Sequence, residues 1–552
     1  MTDFHKKSIQ SLLSEKRLAE AFAELRQTAQ TLQNWQLNNR LDELEESYKY
    51  MIRYVADGCN DPQREEIHNG ITAKLMELAD ITEQELTVQN SPKLYYETLR
   101  MERKYPRSLE ALLEAYRECA DKTALFYELP ADKRDSDQER TLLMEKEKAA
   151  NAVFKHIWVT FPVTANESGT LDKLFADADA TAEIKELAMA ATMLSLLEHY
   201  SEHLLLSLLD LYAANAFNDA SLSMKALCCA LIAMHCHRET IQHSSAISLR
   251  IANIADSERG RRDIMTVFLQ FIRSRSTERI SQKVRDELVP KLMKLSPEMR
   301  RKMRDGFSDD IEEMAKNPDW QEMLNESGIT DKMQELSRMQ AEGSDVFLSS
   351  FARLKNFPFF NDVANWFVPF TPRHSSIFRV FAGNSGSMLL SMVDRTGAFC
   401  DSDKFSFALS VATMPDQHRS MMMAQFDEQQ EQVINEMAGS LPNPDKQREN
   451  IANKYVQSLY RFFNLFRSRN DFYNPFSTRL NLIDVPFVSD ALSDTKSLRL
   501  IAEFYFSMQC YTDALSTFGK VLKQDSPTAS DYQKTGYCHE QLKQYVLATA
   551  DY

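Results

Sequence analysis

Glycine and proline are scarce in this chain of 552 residues, which contains 13 glycines and 17 prolines. Soluble proteins usually have about 7% glycine and about 5% proline. Because these two residues form most turns and breaks, we expect few turns and long helices. The scarcity argues against collagen-like chains, glycine-rich sandwiches and low-complexity disorder. It also leaves few glycines for phosphate-binding loops, which need close backbone approach.

The sequence also lacks an apolar segment suited to secretion or to crossing a membrane. Residues 1–22 contain no apolar core of the 7–15 residues that a signal peptide needs. The most apolar stretch, 194–212, is interrupted by five charged or histidine side chains, whereas a spanning helix needs about 20 mostly apolar residues. These five are Glu198, His199, Glu202, His203 and Asp210. We therefore expect a core helix here, no membrane association and a cytoplasmic protein.

An excess of positive charge is absent as well, since 65 basic residues stand against 80 acidic ones and give a net charge of −15. An acidic chain is a poor overall partner for nucleic acid or anionic lipid. The eight cysteines are dispersed without a tight framework, which favours free thiols in a reducing compartment. They are Cys59, Cys119, Cys228, Cys229, Cys236, Cys400, Cys510 and Cys538.

Apolar residues recur at steps of three and four along most of the chain, which predicts helices. The polar stretch 130–138 is expected to be a loop, and the block from 139 to 255 predicts helices at about 139–160, 170–180, 182–213, 219–237 and 239–255. Long helices with brief joints are typical of α-solenoids and bundles, and the block resembles HEAT-like helix pairs. Four segments follow: a helical module at 1–129, the HEAT-like block at 139–345, an aromatic junction at 346–490 and a repeat segment at 491–552.

Charge is unevenly distributed between residues 255 and 345. Residues 255–305 carry 14 Lys and Arg against 8 Asp and Glu, whereas residues 306–345 carry 3 against 11. Two solvated helix faces that touch each other are the favoured interpretation. The alternative is a basic patch for RNA or an acidic peptide, although its arginines lack the interleaved aromatic residues on which single strands stack.

Aromatic residues are concentrated at 347–399, with eleven among 53 positions. Prolines in this segment prevent long helices, and we expect an irregular or β-containing junction with a small hairpin within 375–399. The favoured interpretation is an aromatic plug that packs two helical modules together. An exposed aromatic docking surface is the alternative.

Two windows within the segment 498–552 match each other at a constant offset of 34. The matched pairs are Leu498 with Tyr532, Ala502 with Gly536, Tyr511 with Tyr545, Ala514 with Ala548, and Phe518 with Tyr552. A period of this length, with small residues at two fixed points and aromatic residues at two others, resembles the tetratricopeptide repeat (TPR). Residues 14–25 resemble one helix of such a repeat.

The resemblance implies two antiparallel helix pairs, in which the small residues allow close approach while Tyr505 and Phe518 fill the space around them. It also implies a groove that binds a peptide or partner helix, lined at Arg499, Glu503, Phe506, Gln533, Tyr537 and Glu540. These residues are not a carboxylate clamp of the chaperone-binding kind. Because the second repeat would leave an apolar face uncapped, we expect the protein to continue beyond Tyr552.

Catalytic and metal-binding patterns are weak. His199, Glu202 and His203 fit H-x-x-E-H, and a spacing of four would place both histidines on one helix face; a zinc hydrolase is the least favoured alternative. The cysteines between 228 and 243 are expected to be buried thiols, and the histidines are expected to lie at a helix end. The run Gly383–Gly386 is expected to be a turn.

The sequence thus predicts an elongated all-α helical-repeat protein that serves as a non-catalytic interaction scaffold with no cofactor. Its partner is expected to be a protein or peptide, with nucleic acid unlikely. The alternative interpretation is a regulatory module that binds nucleic acid or an acidic partner through residues 255–305.

Overall fold

The computed structural model describes residues 6–58, 62–288, 335, 338–340, 343–381, 399–415, 443–524 and 527–552. These residues form α-helices, short 3-10 helices and connecting turns, and no strand occurs among them. The predicted all-α, helical-repeat fold class is therefore confirmed. No helix within these ranges is long and apolar enough to cross a membrane.

The first four helices enclose a small core of their own. They are α1 (Lys6–Ser14), α2 (Leu18–Leu32), α3 (Trp35–Ala56) and α4 (Arg64–Thr87). Leu25, Leu41 and Leu75 are fully buried between them. This N-terminal core is made of residues 9–81 and Phe161, and it is separate from the main core.

Eleven helices follow and form the helical block. They are α5 (Leu94–Lys104), α6 (Leu109–Glu128), α7 (Ser136–Val159), α8 (Ala165–Ala176), α9 (Ala182–Glu198), α10 (Glu202–Asn215), α11 (Ala220–Cys236), α12 (Arg238–Ile241), α13 (Ser245–Asp256), α14 (Glu258–Ser274) and α15 (Thr277–Lys283). Helix α7 packs on α6 and α9, and α11 packs on α9 and α10. Every residue of α11 from Leu222 to His235 is buried, so this helix lies at the centre.

Side-chain caps explain where these helices begin. The side chains of Asp135, Thr164, Ser201, Asp219 and Ser244 each accept a hydrogen bond from a backbone N–H in the first turn of the following helix. Such caps satisfy N–H groups that have no partner within the helix.

The single helix predicted at 182–213 is wrong, because the chain forms two helices there. Helix α9 ends at Glu198, and His199 takes an extended backbone conformation with φ −140° and ψ 140°. Ser201 then caps α10. The apolar spacing on both sides of 198–203 suits a helix, and periodicity alone does not separate one buried helix from two.

The aromatic junction is built mainly from short 3-10 turns around three helices, α16 (Leu348–Ala352), α17 (Asp401–Ala412) and α18 (Pro444–Leu465). Phe360, Trp366 and Phe367 are buried. The Trp366 indole N–H donates to the Phe360 carbonyl at 2.9 Å, and Phe367 packs on Phe462 of α18 at 4.8 Å between ring centroids. These aromatic residues are thus buried against one another and against α18, while the packing of two helical modules by this segment stays a prediction. Residues 375–381 form turns and a 3-10 helix, while 382–398, with Gly383, Gly386 and Gly397, lie outside the described residues.

A buried ion network ties α18 to α17 and to the residues at the start of the junction. The Arg461 guanidinium donates to both carboxylate oxygens of Asp345, at 2.8 and 2.9 Å, and lies 2.8 Å from Asp403. Lys355 Nζ contacts the other oxygen of Asp403 at 3.0 Å and donates to Ser406 Oγ at 3.0 Å. Because two cations face two anions, the buried charges compensate one another.

Five helices complete the chain: α19 (Val488–Ala491), α20 (Thr495–Ser507), α21 (Tyr511–Val521), α22 (Ala529–Gln541) and α23 (Tyr545–Asp551). The helical block, the junction and α20–α22 contribute to one main core that runs from Val88 to Cys538. Residues of all four predicted segments belong to this core, since Val88, Tyr95 and Tyr116 lie within 1–129. The predicted segments therefore remain a description of the sequence.

Candidate functional site

The helices of the C-terminal segment repeat with the same offset of 34 in structure as in sequence. Helix α20 begins at Thr495 and α22 at Ala529, while α21 begins at Tyr511 and α23 at Tyr545. The preceding caps obey the same offset, because Asp494 accepts from Ser497 N and Thr528 accepts from Asp531 N. The segment is therefore two copies of one helical hairpin.

The turn inside each hairpin has the same geometry. Gln509 and Lys543 occupy equivalent positions in the two hairpins and have positive φ angles of 61° and 62°. The N–H that follows each of them reaches back to a carbonyl five residues earlier, from Cys510 to Tyr505 at 2.9 Å and from Gln544 to His539 at 2.8 Å. This is the hydrogen bond of a Schellman-type helix end.

The same turn also joins α1 to α2 at the other end of the chain. Lys16 has φ 60°, and Arg17 N donates to Leu12 O at 2.8 Å. Ala21 and Leu25 of α2 are fully buried, and they stand at the same distances after the turn as Ala514 and Phe518 of α21. The sequence resemblance noted for 14–25 therefore has a structural counterpart in both turn and burial.

Small side chains lie where the paired helices approach each other. Ala502 and Ala514 are fully buried, as are Tyr505 and Phe518. A Cβ atom on Gly536 would lie only 3.0 Å from Cε1 of Tyr552, so a larger residue at 536 would push this ring away. In the first hairpin the small and the aromatic positions are therefore packed against each other.

The two hairpins differ in how well they are covered. Leu498 is 4% exposed, but its counterpart Tyr532 is 41% exposed. Phe518 is fully buried, whereas Tyr552 is 65% and Tyr545 is 63% exposed. The first hairpin lies between α14 and α22, while the second packs mainly on α21. Structural positions of the repeat are consequently solvent-accessible in the second hairpin.

The predicted groove residues lie on α20 and α22, and charged pairs connect these two helices. Arg499 donates to both oxygens of Asp531, at 3.0 and 2.9 Å, and Lys534 Nζ donates to Glu503 at 2.6 Å. Burial works against the charged form of Asp531, but hydrogen bonds from Arg499 and Thr528 outweigh it and lower the pKa of this carboxyl. Arg499 therefore joins the two repeats, in addition to any contact it makes with a ligand.

Beside these pairs, three aromatic rings meet where the two hairpins adjoin. Ring centroids of Phe506 and Tyr537 are 5.4 Å apart, those of Tyr511 and Tyr537 are 6.0 Å apart, and those of Phe506 and Tyr511 are 6.1 Å apart. We call these three residues the aromatic triad. Tyr537 is 39% exposed, and Gln533 and Glu540 lie near it on α22. The structure thus brings an accessible apolar surface and polar side chains together on one face.

Sequence analysis did not identify all of this face. The sequence identifies Tyr511 only as a position repeated at Tyr545, yet it completes the triad. Asp531, which binds Arg499, does not stand out in the sequence. A capping signal was present for Asp531, because Thr528 precedes it by three residues and the two side chains form a capping box.

The histidines of the H-x-x-E-H motif are not brought together, so the expectation that they share a helix face is wrong. His199 follows the end of α9 and is buried, with its ring stacked on Phe161 at 4.4 Å and Nδ1 lying 3.6 Å from Asp80. Glu202 and His203 are exposed in the first turn of α10. Among the described residues no group of His, Cys, Asp and Glu is placed to hold a metal ion.

The cysteines at the centre of the helical block are buried thiols, as expected. Cys228 and Cys229 are fully buried, and burial raises the pKa of both thiols, that of Cys229 to about 12. Cys229 Sγ lies 3.2 Å from the Tyr455 hydroxyl. Protonated thiols of this kind are packing residues and weak nucleophiles.

Arginines of the basic stretch are largely engaged within the chain. Arg275 donates to Asp513 at 2.7 Å, Arg279 donates to Gln509 at 2.6 Å, and Arg262 contacts Asp445 at 3.2 Å. The guanidinium of Arg273 lies 5.2 Å from the Phe504 ring centroid. These contacts join α14 and α15 to later helices. Residues 289–305 and most of the acidic segment lie outside the described ranges. Among the described residues, Lys283 Nζ donates to Glu335 at 2.6 Å, which is one contact between the two charged stretches.

Comparison with protein-family models, with curated proteins and with solved structures found no match for this chain. Its function is therefore argued from its own geometry.

Proposed function

We propose that this protein is an interaction scaffold that binds a peptide or a partner helix on the face formed by α20 and α22. The observation that carries the proposal is the partly exposed aromatic triad at the junction of two matching hairpins. Aromatic side chains that are held rigidly and are partly exposed supply contact area at low cost in conformational entropy. In TPR proteins, which these hairpins resemble, the equivalent helices line the ligand groove.

Polar groups beside the triad support a directional contact. Gln533 offers both donors and an acceptor, and Glu540 accepts a hydrogen bond from the Tyr552 hydroxyl at 3.2 Å. The Arg499–Asp531 and Glu503–Lys534 pairs fix the spacing of α20 and α22. A ligand would therefore meet a surface whose geometry is largely formed before binding, which reduces the ordering cost of association.

Selection from a library of random peptides displayed on phage, using the full chain as bait, tests this function. We expect enriched peptides whose affinity for the Tyr537→Ala and Gln533→Ala double variant is at least tenfold weaker, measured by fluorescence anisotropy. Truncation of an aromatic anchor typically has an effect of this size or greater.

A matched control changes two residues of α21, Thr512→Ala and Ser516→Ala, which lie on the other helix of the first hairpin. The affinity of this control double variant for the enriched peptides should stay within twofold of that of the wild type. If the library yields no specific binder, or if the α22 double variant binds as well as wild type, this face is not the ligand site.

A further inference from the structure

The place where the N-terminal core meets the main core contains a buried histidine. His199 is 5% exposed and follows the end of α9. Asp80 of α4 and Phe161, which belongs to the N-terminal core, lie against its ring. Tyr95 of the main core meets the ring edge-on, with 5.8 Å between the ring centroids. His199 therefore contacts both cores.

The polar atoms of this ring are not used in hydrogen bonds. Within the described part of the chain, neither Nδ1 nor Nε2 of His199 has a hydrogen-bond partner. Nδ1 lies 3.6 Å from Oδ1 of Asp80, which is too long for a good hydrogen bond but close enough for an ion pair. Since a buried polar atom without a hydrogen bond is destabilising, the neutral ring is a poor fit for this place.

A proton on the ring changes each of these contacts. An imidazolium ion carries N–H donors on both nitrogens. It attracts the Asp80 carboxylate, which is itself only 3% exposed, and charges attract more strongly away from water. The face of Phe161, whose ring centroid lies 4.4 Å from that of His199, also favours a cation.

Charged groups on the neighbouring helices add negative charge to this place. Asp80 and Glu83 lie on α4, and Glu198 precedes the histidine at the end of α9. Burial raises the pKa of Tyr96 of α5 to about 12, and the charges of Glu83, Glu198 and Asp80 act in the same direction. Burial works against a charged histidine ring, whereas three nearby carboxylates favour it.

The other charged groups of the helices packed here have different contacts. Arg103 of α5 donates to Glu85 at 2.7 Å. Glu202 and His203 are exposed in the first turn of α10. His199 is therefore the titratable cation at the contact between the two cores, among the residues that the structure describes.

We propose that His199 is a proton-dependent contact between the N-terminal core and the main core, in which the protonated ring pairs with Asp80 and packs on the face of Phe161. Histidine changes its charge between about pH 5 and pH 8. Because the folded protein favours the protonated ring, the pair stabilises the contact at the acidic end of this range and is lost as the pH rises. The attachment of α4 to the helical block thus responds to pH.

The test is a double-mutant cycle in the full chain, made of wild type, His199→Gln, Asp80→Asn and the variant with both changes. Hydrogen exchange measured by mass spectrometry gives the opening constant of the α4 amides, after correction for the intrinsic exchange rate at each pH. We expect the two residues to be coupled by at least tenfold in this constant at pH 5.5 and by less than twofold at pH 8. Other titrating groups are common to all four proteins and cancel in the cycle.

His203→Gln is the matched control, because it removes an exposed histidine four residues away. Its α4 amides should open as those of the wild type do at both pH values. If His199→Gln does not fold, Asp80→Asn alone decides, since it should reduce the pH dependence of the wild-type opening constant at least tenfold. Coupling of equal size at pH 5.5 and pH 8, or full wild-type pH dependence in Asp80→Asn, would overturn the proposal and leave an ordinary packing contact.

Discussion

At the scale of single residues, the buried charges of this protein are compensated by partners distant in sequence. Lys225 Nζ donates to Glu186 at 2.7 Å across two helices, and Arg448 of α18 donates to Asp263 of α14 at 2.6 Å. Buried charges persist when they are paired and hydrogen-bonded. The sequence does not reveal these pairs, because the partner of each residue depends on how the helices pack.

Glu147 is different, because burial dominates its environment and raises the pKa of its carboxyl to about 7. This carboxyl accepts hydrogen bonds from the backbone N–H and the hydroxyl of Ser375, the first at 2.7 Å. His374 lies beside it, but burial lowers the pKa of His374 to about 3, and its Nδ1 accepts from Ser376 N. Glu147 is therefore a proton-binding link between α7 and the junction.

We predict that Glu147 lowers stability as the pH rises from about 4.5 to about 7. In this window the unfolded chain has released the Glu147 proton while the folded protein retains it, so deprotonation favours unfolding. The contribution is at most about 3.5 kcal/mol, taking ~1.4 kcal/mol for each pKa unit. Between pH 5 and pH 8, the melting temperature of the wild type should fall by a few degrees more than that of Glu147→Gln.

Glu145→Gln is the control for this prediction, because Glu145 is exposed on the same helix. It should show the same pH dependence as wild type. If Glu147→Gln also retains the full wild-type dependence, Glu147 does not titrate in this range.

At the scale of elements, one turn geometry is used three times. Lys16, Gln509 and Lys543 adopt the left-handed region with φ near 60°. A side chain in this region costs roughly 1 kcal/mol relative to glycine. These turns were not evident from composition, because the sequence places lysine and glutamine where glycine is the common choice.

We therefore expect Lys543→Gly to stabilise the protein by up to about 1 kcal/mol, whereas Gln509→Gly should gain less because it also loses the hydrogen bond from Arg279. The melting temperature should rise in Lys543→Gly, as measured by circular dichroism. Gln533→Gly serves as the control, since this residue lies inside α22, where glycine costs about 1 kcal/mol and should lower the melting temperature. A fall after both turn substitutions would contradict the turn geometry.

At the scale of the whole molecule, the described residues form two large cores joined along α4. Leu75 belongs to the N-terminal core and Leu231 to the main core, and both are fully buried. Near the end of α4, Gln84 Nε2 donates to the Tyr95 hydroxyl at 2.9 Å, which ties this helix to the helical block. Among the described residues, the N-terminal core is connected to the rest through α4, Phe161 and a few further contacts.

We predict that the two cores unfold as distinguishable units in differential scanning calorimetry. Leu75→Ala should lower the transition of the N-terminal core by an amount equivalent to about 2–5 kcal/mol, and Leu231→Ala should lower that of the main core. Each substitution should leave the other transition unmoved. A single transition shifted equally by both variants would show that the cores unfold together.

The sequence determined the class of fold and the repeat by itself. Scarce glycine and proline with apolar steps of three and four predicted helices, because local spacing alone places a stripe of apolar residues on one helix face. The offset of 34 predicted the two hairpins, since matching units need the same kinds of residue at the same positions. The TPR assignment and the binding function remain proposals built on this repeat.

Tertiary structure decided what local patterns do not contain. It separated His199 from His203 at a helix break, paired Arg499 with Asp531, and brought Tyr511 to the aromatic triad. It also formed a surface groove lined from α13 and α19, two helices that lie far apart in the sequence. Such arrangements depend on the packing of whole helices. A sequence pattern shows which residues are present but does not specify which distant residues come into contact.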